Sequence, residues 1–284
     1  MARYFCLCLA PAIDATVRMG AWPTPDCVIK DATDVFAPGG KGLNVARWLA
    51  KRGASVACGG LLGRDNAAVF EQEMRKYGIV DRFVRVDGPT RVNEMFVTPQ
   101  GAFKVNRPAR APLLPPGDVA DFAGYDTVVL SGSLPKGWPA TTYRELVAAA
   151  RDAGARVVLD ASGDALVEGV KAHPDVIKPN ADECAALVGF VPKTPADFAR
   201  ATAALKACCS LPIISDGAGG CWFDGVHTAA PAVEVLDTTA AGDTLLAEWC
   251  FSGDPRKAVA AGSAACTQPG GEPPALDLME RLAR

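Results

Sequence analysis

Short apolar runs alternate with amphipathic helical patterns along most of this 284-residue chain, and no other feature restricts the fold as strongly. Continuous apolar strands separated by helices are typical of a parallel sheet covered by helices on both faces. In such sheets, ligands bind at the carboxyl ends of the strands. Strands are predicted at 4–9, 55–63, 126–133, 155–163, 175–180 and 211–220, and helices after Gly42, over 67–78 and 141–154, and from Ala181.

Two segments break this alternation. Residues 12–36 are polar and rich in turn residues, and residues 90–107 read as a strand, a "PQG" turn and a second strand, which is a hairpin signal. We expect both segments to form a small β-sheet standing off a main α/β domain. That domain would then consist of 1–11, 37–89 and 108–284, with a loop predicted at 267–278.

Charge and composition exclude several classes of protein. The net charge is −3, which gives no basic footprint for nucleic acid. No apolar run reaches the roughly 18 residues of a membrane span. The ten cysteines include no CxxC pair and no Cys/His cluster with metal-ligand spacing, so we expect them to be reduced, in a cytoplasmic protein.

The segment 37–53 contains a glycine-rich loop, "PGGKG", followed by a helical pattern. A loop of small residues that opens a helix lets backbone N–H groups approach an anionic ligand, with the positive end of the helix dipole behind them. The Walker A pattern is absent. The alternative is a tight turn between a strand and a helix.

The segment 237–250 places small residues and an aspartate, Asp243, at the start of another helix. Backbone amides there would stabilise charge on a moving phosphoryl group, and the carboxylate would accept a hydroxyl proton. The alternative is that Asp243 only caps the helix.

Together, "GGKGLNVARWLAKRGASVACGGLLGRD" and "DTTAAGD" resemble the two signatures of the PfkB (ribokinase-like) carbohydrate kinases. The motifs "PAID", "SGSLPKG", "LDASGDAL" and "KPNADE" are similar to the branch of phosphofructokinases and tagatose-6-phosphate kinase. The resemblance covers nearly the whole chain. It implies a three-layer α/β/α sandwich with a mainly parallel sheet and a β-lid that often forms a homodimer interface.

The resemblance also implies an ATP- and Mg²⁺-dependent transfer to a hydroxyl of a phosphorylated hexose: fructose 1-phosphate, fructose 6-phosphate or tagatose 6-phosphate. The roles it carries over are a catalytic base at Asp243; an anion hole at Ala240, Ala241 and Gly242; substrate contacts at Asp14, Gly39, Gly40, Lys41, Asn44, Arg91 and Ser133; ATP contacts at Lys178, Asn180, Ser215, Gly217 and Gly220; and a water-mediated Mg²⁺ contact at Glu183.

Several single-residue alternatives stay open. Glu183 is equally explained as a first-turn carboxylate favoured by the helix dipole. Lys104 and Arg107 either reach a substrate phosphate or are solvated edge charges, and Lys30 matches a lid position that reaches a neighbouring subunit. His173 and His227 match no motif.

The chain departs from the family pattern in three places. Ala240 replaces the first glycine of "GAGD", which would cost about 1 kcal/mol if that position needs a positive φ. Ala10 replaces an asparagine, and the segment after Asp243 is short. Two other functions therefore remain: a kinase of an unphosphorylated sugar or nucleoside, and a catalytically weak sugar-phosphate sensor.

Overall fold

A computed structural model describes residues 2–284 of the chain. Its strands are β1 (Arg3–Cys8), β2 (Ala12–Arg18), β3 (Thr33–Gly39), β4 (Ser55–Gly63), β5 (Val80–Val86), β6 (Val92–Thr98), β7 (Gly101–Val105), β8 (Thr127–Ser131), β9 (Arg156–Asp160), β10 (Val176–Ile177), β11 (Leu211–Ser215), β12 (Cys221–Phe223) and β13 (Val226–Thr228). Its helices are α1 (Lys41–Lys51), α2 (Ala68–Tyr77), α3 (Pro116–Val119), α4 (Thr142–Asp152), α5 (Gly163–Gly169), α6 (Ala181–Val188), α7 (Pro195–Leu205), α8 (Ala241–Ser252), α9 (Pro255–Ala265) and α10 (Leu276–Leu282).

The main sheet is mostly parallel, in the order β13-β12-β11-β10-β9-β8-β1-β4-β5. Only β12 and β13 join it in antiparallel fashion. The interior strand β1 is buried from its second residue to its last, as expected for a strand covered on both faces. Its side chains alternate, so Cys6 faces one core and Leu7 the other.

Helices cover both faces of this sheet and create two separate apolar cores. One face packs against α1, α2, α8, α9 and α10, and contains the fully buried Trp48. The other packs against α3 to α7 around Tyr143 and Phe198. The predicted three-layer α/β/α sandwich is thereby confirmed.

A second sheet has the order β3-β2-β6-β7. Strand β2 pairs with β6 in parallel, whereas β3 and β7 are antiparallel to their neighbours. The hairpin of β6 and β7 lies where the sequence predicted one. Strand β3 continues to Gly39, so this small sheet runs directly into the glycine-rich loop and α1.

Local signals explain several element ends, but not all. Gly78 ends α2 in the left-handed conformation, with φ of 67°, as predicted. The loop predicted at 267–278 is wrong at its end, since α10 already begins at Leu276. That helix forms because its buried Met279 packs on the first core, a tertiary contact with no strong local signal. Within residues 2–284, no helix is long and apolar enough to cross a membrane.

Candidate active site

Asp243 lies in the first turn of α8, at the point where two clefts of the molecule meet. Asp243 is only 3% exposed, yet it lines one of these clefts. The side-chain amide of Asn44, from α1, donates a hydrogen bond of 2.8 Å to Asp243 Oδ2. The Asp243 carboxylate is thus held by a side chain 199 residues away in the sequence. Capping of α8 alone does not account for this contact.

Burial raises the pKa of Asp243 to about 6. The positive charge of Lys41 opposes this shift, the negative charge of Asp160 adds to it, and the hydrogen bond from Asn44 again opposes it. The carboxyl group is therefore mainly ionised at neutral pH while its proton affinity is higher than usual, which suits a general base.

Asp160, at the end of β9, is completely buried and pairs with two lysines. Its Oδ1 lies 3.4 Å from Lys41 Nζ and 3.3 Å from Lys178 Nζ. The charge of Asp160 is the largest cause of the raised pKa of Lys41. Sequence reasoning assigned no role to Asp160, although the "LDASGDAL" motif contains it, because a carboxylate that acts by holding lysines resembles any strand-end aspartate.

The first cleft has a volume of about 310 Å³ and lies between the small sheet and the main sheet. Of the predicted substrate residues, it is lined by Asp14, Gly40, Lys41, Asn44, Arg91 and Ser133. Gly39 is not in the lining. It lies behind Asp14 instead, where a Cβ atom would come within 2.1 Å of Asp14 Oδ2.

Asp14 faces this cleft from β2. Burial raises its pKa, and the Asn93 amide, which donates to Asp14 Oδ1 at 3.0 Å, opposes the rise. Asn93 is a cleft residue that sequence reasoning missed. The sequence feature that could have identified Asn93 is its position in the predicted hairpin. In the structure it lies directly opposite Asp14 in the parallel pairing of β2 with β6.

Arg91 is held in the cleft wall by main-chain oxygens. It donates to the carbonyls of Ala10 at 2.9 Å, Pro11 at 3.3 Å and Arg107 at 2.6 Å. Burial lowers its pKa. The guanidinium is thus fixed in place beside the polar cleft, so an anionic ligand would meet a pre-oriented charge.

Two further basic residues of the hairpin lie in different surroundings. Lys104 lines the cleft and donates to Thr239 Oγ1 at 3.2 Å, so it connects the small sheet to the loop before α8. Arg107 pairs with Glu94 at 2.7 Å on an exposed surface.

The second cleft, of about 510 Å³, lies on the other side of the α8 N-terminus. It contains the predicted residues Ser215, Gly217 and Gly220, together with Ala241 and Gly242. The rest of its lining, which sequence reasoning missed, is formed largely by small apolar residues, among them Ala230, Pro231, Ala232, Val233, Val235, Val259 and Cys266.

Lys178 and Asn180 do not line this second cleft. Lys178 lies beside the α8 N-terminus, where its Nζ is 3.3 Å from the position that a Cβ atom on Gly242 would take. Asn180 caps α6 in a reciprocal capping box with Glu183: Asn180 Oδ1 accepts from the Glu183 N–H at 2.7 Å, and Glu183 Oε2 accepts from the Asn180 N–H at 2.9 Å.

The residues of the two clefts fit both ATP and Mg²⁺. An apolar cleft that ends at the amides of a helix N-terminus suits a base at one end and phosphates at the other. No group of three or more His, Cys, Asp or Glu within residues 2–284 forms a metal cluster. Mg²⁺ bound through one or two carboxylates, waters and substrate phosphates needs no such cluster, so this arrangement fits as well.

Ala240 has φ of −108° and therefore lies outside the left-handed region. The backbone strain that a positive φ would cause for an alanine at this position is absent, because any residue can adopt a φ of this value.

The fold is that of the ribokinase-like kinases. Phosphofructokinase-2 from Escherichia coli in complex with potassium superposes with a TM-score of 0.87 at 25% identity, covering 100% of this chain and 98% of that one. A ribokinase from Arabidopsis thaliana complexed with ribose and ATP gives a TM-score of 0.80 at 22% identity, covering 100% and 99%, which supports the fold alone.

The sequence identifies the family. Residues 7–275 match the model of the pfkB family carbohydrate kinases. A 1-phosphofructokinase from Rhodobacter capsulatus is 38% identical over 255 residues, 84% of this chain and 80% of that protein. One from Haemophilus influenzae is 34% identical, covering 87% and 83%. The chain belongs to the pfkB family and is a phosphotransferase with an alcohol group as acceptor.

Proposed function

We propose that the protein transfers the γ-phosphoryl group of ATP, with Mg²⁺, to a hydroxyl of a phosphorylated hexose. Among the three candidate hexoses, fructose 1-phosphate is favoured, because the relatives with 32–38% identity are named 1-phosphofructokinase.

The observation that carries the proposal is the position of Asp243. Its carboxylate is buried, held by Asn44, and faces a polar cleft, while the amides behind it open toward an apolar one. A hydroxyl in the first cleft and a nucleotide in the second would meet at this one residue.

The proposed chemistry assigns proton transfer to the chain itself. The sugar hydroxyl gives its proton to a carboxylate oxygen of Asp243 as its oxygen attacks the γ-phosphorus of ATP. The bond from that phosphorus to the β–γ bridging oxygen breaks and ADP leaves, while the amides at Ala241 and Gly242 stabilise charge on the transferring group. Lys178 adds positive charge beside the same helix end. Bound Mg²⁺ supplies neutralisation of the phosphate oxygens.

Glu183 is proposed to contact the ion through water. Its negative charge contributes to the raised pKa of Lys41, which means that the carboxylate lies within electrostatic range of the site. The capping box uses Oε2, and it fixes the carboxylate in one orientation.

A phosphorylated substrate is supported by the charges of the first cleft. Lys41, Arg91 and Lys104 line it, and Asp14 lies opposite as an acceptor for hydroxyls. The lining also holds acidic side chains, but Arg91 donates to main-chain carbonyls and Lys104 to Thr239 Oγ1. A substrate phosphate would give these two cations an anionic partner that a neutral sugar lacks, which argues against the kinase of an unphosphorylated sugar. Ala240 is not strained, which removes one reason to regard the protein as a catalytically weak sugar-phosphate sensor.

The test is ADP release from MgATP with a panel of sugar phosphates, free sugars and nucleosides. We expect turnover of one sugar phosphate and a loss of about 10²–10⁴ in kcat for Asp243→Asn, because a positioned base contributes that much and the amide cannot replace it. Sugar-phosphate binding without turnover would favour the sensor. Turnover that persists in Asp243→Asn would refute the base.

We further propose a cytoplasmic homodimer that forms through the small sheet. Trp22, Phe36 and Phe103 are exposed apolar residues of this region, and such a patch commonly marks an interface. The ten free cysteines suit a reducing compartment.

A further inference from the structure

Arg47, on α1, is an arginine that is 98% buried and that no motif assigned to the site. Its guanidinium contacts four separate segments. Nη1 donates to Asn44 Oδ1 at 3.1 Å and to the Gly271 carbonyl at 3.3 Å, Nη2 donates to the Pro38 carbonyl at 2.6 Å, and Nε lies 2.7 Å from Glu73 Oε1. An arginine buried this deeply carries a large desolvation cost unless its partners are well placed.

The contact with Asn44 is the one that bears on chemistry. A side-chain amide has an accepting oxygen and a donating nitrogen that are similar in shape, so its orientation is set by its neighbours. Arg47 offers only donors, and therefore holds the Asn44 oxygen on its own side. The nitrogen is then turned toward Asp243 Oδ2 at 2.8 Å.

Gly271 gives an independent indication that this arrangement is tightly built. A Cβ atom there would come within 2.4 Å of Asn44 Oδ1 and 2.9 Å of Arg47 Nη1. The φ of Gly271 is not in the left-handed region, so its backbone conformation does not require glycine. The space beside the Asn44 amide is what excludes a larger residue.

We propose that Arg47 is a positioning residue for phosphoryl transfer: it orients the Asn44 amide, and through that amide it holds the Asp243 carboxylate in the reactive direction. The inference rests on the proposed role of Asp243 as base. It adds a third residue, from α1, to the groups that determine how well that base works, and it makes the loop at Gly271 part of the same unit.

Without Arg47, the Asn44 amide is free to turn and present its oxygen to the carboxylate. A favourable hydrogen bond to the ionised form would become a repulsion between oxygens, and the proton affinity of Asp243 would rise. The other charged or titratable groups that act on Asp243 stay in place, and these are Lys41 on α1, Asp160 at the end of β9, Lys178 after β10 and the Cys8 thiol of β1.

The test compares Arg47→Met and Gly271→Ala with the unaltered chain. The first removes the donors, and the second displaces the amide without removing any charge. In protein labelled with ¹³C at aspartate Cγ, the resonance missing from Asp243→Asn is that of Asp243. We expect its titration midpoint to rise by about one pH unit in Arg47→Met and by less in Gly271→Ala.

Kinetics provide the second readout. In Arg47→Met the acid limb of kcat/KM should move upward with the NMR midpoint. Since the midpoint rises from about 6 to about 7, kcat/KM should fall about twofold at pH 7 and about fivefold at pH 6, and recover at higher pH, while the KM for ATP changes less than twofold. Gly271→Ala guards against the possibility that Arg47→Met fails to fold.

Arg52→Met is the matched control, because Arg52 directly follows the last residue of α1 and pairs with a buried carboxylate, Glu248, outside the clefts. It should lower Tm and leave the Asp243 midpoint unmoved. An unmoved midpoint in both Arg47→Met and Gly271→Ala, or an equal shift in Arg52→Met, overturns the inference. Turnover that persists in Asp243→Asn would instead refute the role of Asp243 as base, whatever the effect of Arg47→Met on the titration midpoint of Asp243.

Discussion

The two clefts beside the α8 N-terminus differ in the kind of side chain that forms them. The first is lined by charged and amide groups such as Asp14, Lys41 and Arg91. The second is formed largely by alanine, glycine, valine and proline, with amides of the helix N-terminus at one end. One therefore offers recognition by fixed polar groups, and the other by shape and backbone.

This difference teaches where substrate specificity is encoded. In the first cleft, single polar atoms decide what binds, because a buried polar group left unpaired is costly. In the second, many small apolar contacts each contribute little, and the decisive element is the path of the backbone. A substitution should therefore act through one lost contact in the first cleft and through altered geometry in the second.

The largest change in KM is expected for Arg91→Ala in the first cleft. The KM for the sugar phosphate should rise about a hundredfold, since a charge-assisted contact contributes roughly 1.5–3 kcal/mol. The KM for ATP should stay within twofold. Steady-state kinetics with both substrates varied provide the measurement, and an equal change in the KM of a neutral sugar would contradict the phosphate contact.

Asp243→Asn, at the junction of the two clefts, should change the free energy of unfolding in a pH-dependent way. The pKa of Asp243 is about 6 in the folded protein against an ordinary value of 3.8, so the folded state retains a proton that the unfolded state loses. This group's contribution to stability therefore falls as pH rises from about 4 to about 6 and remains unfavourable above. Asp243→Asn should be more stable by about 2 kcal/mol at pH 8, with the gain vanishing near pH 4.

Urea unfolding at several pH values measures this effect. Asp237 is the control of opposite sign: burial acts to raise its pKa, but hydrogen bonds from Thr239 and Gly270 outweigh burial and lower it. Asp237→Asn should therefore lose stability at neutral pH. A pH-independent difference between Asp243→Asn and the unaltered chain would contradict the raised pKa.

Gly220→Ala should produce the reverse kinetic split from Arg91→Ala. Gly220 has φ of 105°, and a Cβ atom would come within 2.2 Å of the Thr228 carbonyl, so the β12–β13 hairpin must shift. Because Gly220 lines the second cleft, the KM for ATP should rise about tenfold, while the KM for the sugar phosphate changes little. Equal changes in both would show that the clefts are not independent.

The smallest effect is expected for Ala240→Gly. The φ of −108° at Ala240 needs no glycine, so kcat should change less than about twofold. A large increase in kcat would revive the view of a damaged anion hole. ADP release from MgATP with the sugar phosphate as acceptor measures this change in kcat.

Sequence motifs pointed to a larger share of the residues that line the polar cleft than of those that line the apolar one. Asp14, Lys41 and Asn44 stand in motifs whose residue types suggest chemistry, and all three line the first cleft. Val233 and Val259 line the second, but valines are common everywhere and carry no functional signal. Asp160 was missed for another reason, since its partners Lys41 and Lys178 come from distant parts of the chain.

The sequence by itself determined the layered fold, the hairpin of β6 and β7, and the family, because strand periodicity, turn residues and glycine-rich motifs are local properties. The tertiary structure alone decided that α10 begins at Leu276, that Asn44 donates to Asp243, and that Arg47 fixes that amide. The contacts of Asn44 with Asp243 and of Arg47 with Gly271 join residues far apart in the chain. Their geometry depends on how helices pack across the sheet, which no short stretch of sequence specifies.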